Sequence, residues 1–529
     1  MAEGKKQKIY VFDTTLRDGA QSANISFSVM DKLQIIERFD KIGIDYVEVG
    51  FPASNPKDEE LFDELKKKKY KHSRIVAFGR TKYKDTPAEN DINLKVLLDS
   101  GADTMCIFGK SSMLHVEKVI ETTAENNLEM IFDSVQYLKK NSPEVIYDAE
   151  HFFDGYKLDD GYAIRTLQAA QDAKADFIVL CDTNGGCLPA EVLEITREVL
   201  KHIKVPLGIH CHNDSGCAVA NTVIAVEHFD QVNMVQGTIN GYGERCGNAD
   251  LCQIIPNLEI KLNKKCLPEG NLKHLTNLSR YISETANQVA PSSQPFVGRS
   301  AFAHKAGMHV HGVAKAPEAF EHIKPELVGN TREILISELS GKKSIIIKAK
   351  EFGIDFKNDS ASINKILNMV QNLEHRGYQF EAADGSFELM VKEVAGVKKK
   401  FFTLESFRVL NEKRPDTVMI SEATVKILVD NNRIIETAEG DGPVHALDCA
   451  IRKALASFYP NLKKIKLSDF KVRVLDEKQG TGAVVRVLIE STDGTKSWGT
   501  IGVSENIIEA SWQALEDSIV YGLMHLEGK

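Results

Sequence analysis

The chain has no stretch of about 18 consecutive apolar residues, which removes a transmembrane helix from consideration. It has no excess of positive charge either. A formal net charge of −9 and a pI near 6.0 argue against a nucleic-acid partner or an anionic-membrane surface. An anionic small molecule stays open as a ligand, because a site's local field need not follow the global sign. A disulfide framework is also lacking. The 9 cysteines are scattered, and Cys106, Cys181 and Cys211 sit in apolar strand-like runs, the pattern of buried free thiols in a reducing cytoplasm. Cys181 with Cys187 and Cys246 with Cys252 lack zinc-finger spacing. Met1–Lys8 is charged and leads into an apolar run without a signal-peptide core, so no secretory signal is expected.

What is present is a soluble, globular composition, 43% hydrophobic and 27% charged, in 529 residues. That length predicts two or three domains. From residue 8 to about 241 one unit recurs: a short apolar run, a polar residue at its end, then a helical stretch. The runs are Ile9–Thr15, Tyr46–Phe51, Arg74–Gly79, Thr104–Gly109, Val145–Phe152, Phe177–Thr183, Leu207–Asp214 and Met234–Gly241. Between the first two, Val29, Leu33, Ile36 and Phe39 recur at helical spacing, with Gly43 placed to cap the helix. Near-continuous apolar strands alternating with amphipathic helices predict a parallel sheet covered on its outside. Eight such units make a (β/α)8 TIM barrel, in which function gathers where the strands end. A doubly wound open sheet is the alternative.

The expected divisions are a catalytic barrel over 1–275, helical linker subdomains over 276–397, and a C-terminal α+β domain over 398–529. Asn271–Asn287 reads as helix, and residues 315–395 as small helical elements forming a connector. In the last region Ala423–Val429 and Ala483–Ile489 alternate as strands. Each is followed by a hairpin turn, a second strand and a helix, Val444–Ser457 and Asn506–Leu523 respectively. Such a duplicated strand-strand-helix unit leaves one sheet face needing cover, by a second copy among other possibilities.

The strand ends carry the chemistry. The first run delivers Asp13-Thr14-Thr15-Leu16-Arg17-Asp18-Gly19-Ala20-Gln21 into one strand-to-helix turn, and the seventh ends in His210-Cys211-His212. Alternate residues of a strand point the same way, so both imidazoles can face the barrel mouth. Two imidazoles with the Asp18 carboxylate suit a divalent Mn, Mg, Zn, Co or Fe ion, with positions left for substrate. The bland alternative is a pair of barrel-filling histidines. Gly241-Tyr242-Gly243-Glu244-Arg245-Cys246-Gly247-Asn248 ends the last run. A glycine loop there often approaches phosphate, Asn248 offers a further oxygen ligand, and a structural glycine turn is the alternative. Arg17 is placed to neutralise charge on a carbonyl oxygen, or to serve as a structural ion pair. Glu150 is a candidate acid/base group. Thr183 can bond a substrate carboxylate or cap the next helix. His309, in the stretch Ala303–Gly312 with His304 and His311, is a candidate base outside the barrel sequence.

These motifs resemble the metal-dependent Claisen-condensing enzymes of the isopropylmalate, homocitrate and citramalate synthase family, over nearly the whole chain. The resemblance implies that Asp18, His210, His212 and Asn248 hold the metal, which chelates a 2-oxo acid. It implies that Arg17 polarises the ketone, Thr183 holds the carboxylate, and Glu150 and His309 generate the acetyl-CoA enolate. The loop with Gly241, Gly243, Glu244, Arg245 and Gly247 then lies toward CoA. The wording Asp148–Gly155 is similar to the citramalate-forming branch, and Phe78 and Phe108 are placed to shrink the pocket toward pyruvate. By the same resemblance the C-terminal region forms a homodimer and binds an amino-acid effector, isoleucine on the pyruvate reading. A lyase on the same barrel and a catalytically silent metabolite sensor are the competing functions.

Overall fold

The computed structural model describes residues 6–52, 55–305, 307–337, 340–356, 359–413, 415, 419–475 and 482–526. The charged first five residues, and Ala306 of the histidine-rich stretch, lie outside them. The chain divides into two compact units, Met1–Phe302 with Ile323–Thr331, and Ala303–His322 with Arg332–Lys529.

In the first unit eight strands close into a parallel barrel: β1 (Tyr10–Asp13), β2 (Tyr46–Gly50), β3 (Arg74–Arg80), β4 (Thr104–Lys110), β5 (Val145–Glu150), β6 (Phe177–Asp182), β7 (Leu207–Cys211) and β8 (Val232–Gly237). Each pairs with the next, and β8 returns to β1 in the register Tyr10↔Met234 to Asp13↔Gly237. The apolar runs exist because both strand faces are buried. Inward-facing Phe12, Tyr46, Val76, Cys106, Ile146, Phe177, Val179, Cys181 and Met234 fill the barrel, while the alternate residues pack under the helices. The first helix, Val29–Ile42, starts at a Ser28/Asp31 capping box and stops at Gly43, whose φ of 93° is the left-handed cap that glycine supplies. Its Leu33, Ile36 and Phe39 are buried and Val29 is partly so.

All eight runs are strands, so the barrel follows the expectation. The last strand ends sooner than its sequence suggests. Asn240 lies in a short 3-10 turn, Ile239–Gly241, and its amide donates to the Ser279 carbonyl at 2.9 Å and to Ser283 at 3.0 Å, so it braces the helix Leu275–Thr285. All nine thiols are free. Six are buried, Cys217 and Cys449 are partly so, and Cys246 is exposed.

The second unit begins with two two-residue strands, β9 (Ala303–His304) and β10 (Glu333–Ile334), paired in parallel. The helices Lys342–Glu351, Ser360–His375 and Asp384–Val394 enclose Ile336, Ile345, Ile366, Val370, Phe380 and Phe387. This segment carries a core of its own, where the sequence reads as a connector.

Two antiparallel sheets follow. The first is β11 (Thr403–Glu412), β12 (Ile420–Val429) and β13 (Asn432–Gly440) with the helix Pro443–Leu455. The second is β14 (Lys466–Val474), β15 (Val485–Thr492) and β16 (Ser497–Ser504) with the helix Ile507–Leu526. Asp430 and Asn431, both at positive φ, make the tight turn expected between β12 and β13. The duplicated unit therefore has three strands and not two. The strands missed in the sequence, β11 and β14, carry only short apolar alternations, Phe407/Val409 and Phe470/Val472/Val474, and bury no side chain. No helix among the described residues is long and apolar enough to cross a membrane.

Candidate metal centre at the barrel mouth

Asp18 stands five residues beyond the end of β1. The turn that carries it is tied down at both ends. The Asp13 carboxylate accepts from the Thr15 amide at 2.8 Å and the Thr15 hydroxyl at 2.9 Å, and that hydroxyl accepts from the Ile239 amide at 2.9 Å. The Gly19 amide donates to the Thr14 carbonyl at 3.0 Å. The result places Asp18 Oδ2 3.7 Å from His210 Nε2 and 3.8 Å from His212 Nε2. All three side chains are buried. Asn248 joins them through a backbone bridge to His212, and its Nδ2 donates to Asp18 Oδ1 at 3.2 Å.

Burial opposes charge on Asp18, yet Arg17, His210 and His212 outweigh it and hold the carboxyl down to about 2. Burial and the adjacent His210 push His212 down to about 4, and burial lowers His210 as well. At neutral pH the cluster is thus a carboxylate with two neutral imidazoles, the forms that ligate metals. Asn248 Oδ1 is buried and makes no hydrogen bond within the protein. An orphaned buried acceptor is costly unless a cation or donor meets it, so the donor set fits a divalent ion.

Arg17 sits against this cluster. Its Nη1 donates to Asp18 Oδ2 at 2.9 Å and its Nε to Glu48 Oε2 at 2.6 Å. Its guanidinium lies 3.7 Å from the centre of the Phe78 ring. Phe78 in turn stacks on Phe108, with ring centres 5.4 Å apart and planes 22° apart. The two aromatics expected at the pocket wall and the arginine expected at the ketone therefore form one assembly. Glu48 is completely buried and also accepts from the Thr14 hydroxyl.

Glu150 ends β5 and pairs with Lys110, which ends β4. The next residue, His151, is held at a left-handed φ of 56°, and its amide donates to Thr183 Oγ1 at 2.8 Å, which leaves the hydroxyl's own proton available to a ligand. His151 lies with its ring centre 3.9 Å from that of His115, and burial together with His115 pushes it down to about 3.

In the glycine loop, Arg245 donates to both oxygens of Asp214, at 2.8 and 3.0 Å, and to the Thr183 carbonyl at 2.7 Å, so its guanidinium is engaged within the protein. Glu244 is exposed. His309 belongs to the second unit, exposed on the helix Gly307–Lys315 with its ring 5.5 Å from that of Phe320; His311 is also exposed. Sequence reasoning gave no role to Lys110, His115, His151, Asp148 or Gln236. An amide directly after the apolar pair Met234-Val235 of the eighth strand was the available signal for Gln236.

A closed parallel barrel with a carboxylate, two imidazoles and an arginine converging at the strand ends defines a (β/α)8 protein built around a candidate divalent-metal site. The chain matches the HMGL-like family over residues 8–282, the homocitrate synthase post-HMGL domain-like family over 296–377, and the LeuA allosteric (dimerisation) domain over 381–523. It is 53% identical to the (R)-citramalate synthase of Geobacter sulfurreducens, covering 97% of each chain. It is 49% identical to that of Aquifex aeolicus, covering 98% of each. The 2-isopropylmalate synthase of Methanocaldococcus jannaschii is 31% identical, over 97% of this chain and 94% of that one. The chain belongs to the (R)-citramalate synthase family.

Proposed function

We propose that this protein is an acyltransferase that condenses acetyl-CoA with pyruvate and water to give (R)-citramalate and CoA. The observation that carries the reading is the convergence of Asp18, His210, His212 and Arg17 within one buried cluster. A divalent ion held by Asp18, His210, His212 and Asn248 would chelate the 2-oxo acid and polarise its ketone. Arg17 donates to the ketone oxygen as it gains charge in the transition state. The Thr183 hydroxyl donates to the carboxylate. Glu150, steadied by Lys110, takes a proton from the acetyl methyl group, and His309 is proposed as the second acid/base group. Phe78 and Phe108 bound the space beyond the ketone and favour pyruvate's methyl over longer chains. The Gly241–Gly247 loop is assigned to CoA.

The exposed apolar side chains Leu410, Ile420, Ile435, Phe470, Val472 and Val474 of the two C-terminal sheets support a homodimer. Isoleucine is proposed as the effector of the same region. The test is CoA-thiol release by the full-length protein with pyruvate, 2-oxobutanoate, 2-oxoisovalerate and 2-oxoglutarate, each with and without isoleucine. Pyruvate should give the highest kcat/KM, and isoleucine should lower the rate. A higher kcat/KM with 2-oxoisovalerate would overturn the acceptor, and no thiol release with any acid would overturn the reaction. The intact chain is required: the helix Asp384–Val394 packs on β16 and on the helix Ile507–Leu526, so a cut near residue 398 would strip its cover.

A further inference from the structure

His210 and Gln236 are register partners on β7 and β8, and Asp148 projects from β5 across the barrel. All three are buried, with Gln236 fully so. The Gln236 side chain joins the other two: Nε2 donates to Asp148 Oδ1 at 3.1 Å, and Oε1 lies 2.9 Å from His210 Nδ1.

With the Asp148 carboxyl ionised, this order admits one arrangement of protons. Burial and the Glu48 charge push that carboxyl up to about 7; above that value its oxygen accepts and cannot donate, so the amide turns its NH2 toward Asp148. The amide oxygen then faces His210 Nδ1 and can only accept, which puts the imidazole proton on Nδ1. The lone pair is left on Nε2, the atom that faces Asp18 at 3.7 Å. His212 has no such orienter, since its buried Nδ1 makes no hydrogen bond within the protein. The two imidazoles of the cluster are therefore unequal.

We propose that Asp148 and Gln236 form a positioning relay that locks His210 in the Nδ1–H tautomer and so presets Nε2 as a metal ligand. The proposal rests on the reading that Asp18, His210 and His212 hold a cation. Partners of this kind behind a metal-binding histidine change affinity by about 10–100-fold when removed.

The test is Mn2+ binding to the full-length protein by calorimetry above pH 7, where Asp148 is ionised, with no acetyl-CoA or 2-oxo acid present, together with 15N spectra of histidine-labelled protein to read the His210 tautomer. Gln236→Leu removes the acceptor and should weaken Mn2+ binding at least about tenfold, with loss of the Nδ1–H signal. Asp148→Asn, nearly isosteric and the safer variant for folding, frees the Gln236 amide to turn over and should weaken binding in the same direction. The double variant Asp148→Asn/Gln236→Glu restores a donor at 148 and an acceptor toward His210. It should recover both the Nδ1–H signal and an affinity within about threefold of the wild type. Single variants that bind Mn2+ within threefold of the wild type, or a double variant that recovers neither readout, would overturn the relay. A wild-type protein that binds no Mn2+ fails the metal reading itself, an outcome distinct from either.

Discussion

Glu48→Gln isolates what holds Arg17. The substitution keeps side-chain volume and removes a charge that is wholly buried, 2.6 Å from Arg17 Nε. Removing one partner of a buried ion pair usually costs about 3–5 kcal/mol, because the other charge is left uncompensated. Here Asp18 still pairs with Nη1 at 2.9 Å, so the loss should be about 2–3 kcal/mol of barrel stability. The catalytic effect follows from geometry. A guanidinium tethered at Nε and Nη1 has one orientation; tethered at Nη1 alone, it can swing about that contact. The Phe78 stacking limits the swing and is worth about 0.5–2 kcal/mol. The fall in kcat should then lie at the low end of that seen on losing an electrostatic donor, about 100-fold. CoA-thiol release with pyruvate reads the rate, and Mn2+ affinity should change by less than about threefold, since neither the proposed ligands nor the groups that orient His210 are altered. Stability must be followed by circular dichroism or hydrogen exchange. Both tryptophans, Trp498 and Trp512, lie in the second unit and do not report on the barrel. A Glu48→Gln enzyme with kcat within threefold of the wild type would refute the claim that Glu48 positions Arg17.

Two further outcomes follow from other sites. In the second unit, burial works against the Glu388 carboxylate, but His525 and Lys392 hold it down to about 2. A carboxyl depressed that far contributes up to about 3 kcal/mol, fully present above its unfolded value near 4.5 and lost as pH falls toward 2. Glu388→Gln should therefore lower the urea midpoint at pH 7, read by tryptophan fluorescence. The gap to the wild type should narrow between pH 4.5 and 3, and a gap that stays constant over that range would refute the assignment. At the proposed pocket, Phe108→Leu opens space while keeping both members of the Arg17–Phe78 pair and an apolar side chain against Phe78. It should shift the kcat/KM ratio of 2-oxobutanoate to pyruvate upward by about 10-fold, the scale of one methylene in an apolar pocket; an unchanged ratio would remove Phe108 from specificity.

How far the sequence reveals these features depends on where the interacting groups lie along the chain. The eight barrel strands are legible because burial on both faces writes itself as continuous apolar runs, a local property. Asp18, His210 and His212 are legible because each stands at or just beyond the end of such a run. The groups that orient them are not. Asp148 and Gln236 meet 88 residues apart in sequence, across a barrel whose closure no local pattern encodes. Lys110 reads as one of many strand-end polar residues until β4 lies beside β5 and brings it to Glu150. In the second unit β11 and β14 are harder to see for another reason: their alternations, Phe407/Val409 and Phe470/Val472/Val474, are short and belong to strands that bury no side chain.

The glycine loop shows how a motif can be read correctly for place and still be explained by packing. Gly247 has a φ of 88°, and a Cβ there would stand 2.0 Å from the Gly241 carbonyl oxygen. A Cβ on Gly243 would stand 2.2 Å from Asn248 Nδ2. Gly247 would clash with backbone and needs its positive φ, so it requires glycine before any phosphate is considered, whereas a Cβ at 243 would displace the Asn248 amide from its place. What the close packing secures is the loop's return: the Asn248 amide donates to the Gly241 carbonyl at 3.1 Å, the Asn213 amide to the Gly247 carbonyl at 2.9 Å, and the Ala249 amide to the Cys211 carbonyl at 2.9 Å. These bonds zip the loop after β8 onto the end of β7 and deliver Asn248 to Asp18 Oδ1, the carboxylate oxygen that Arg17 does not hold. The glycines at 243 and 247 thus answer first to the placement of Asn248 beside Asp18.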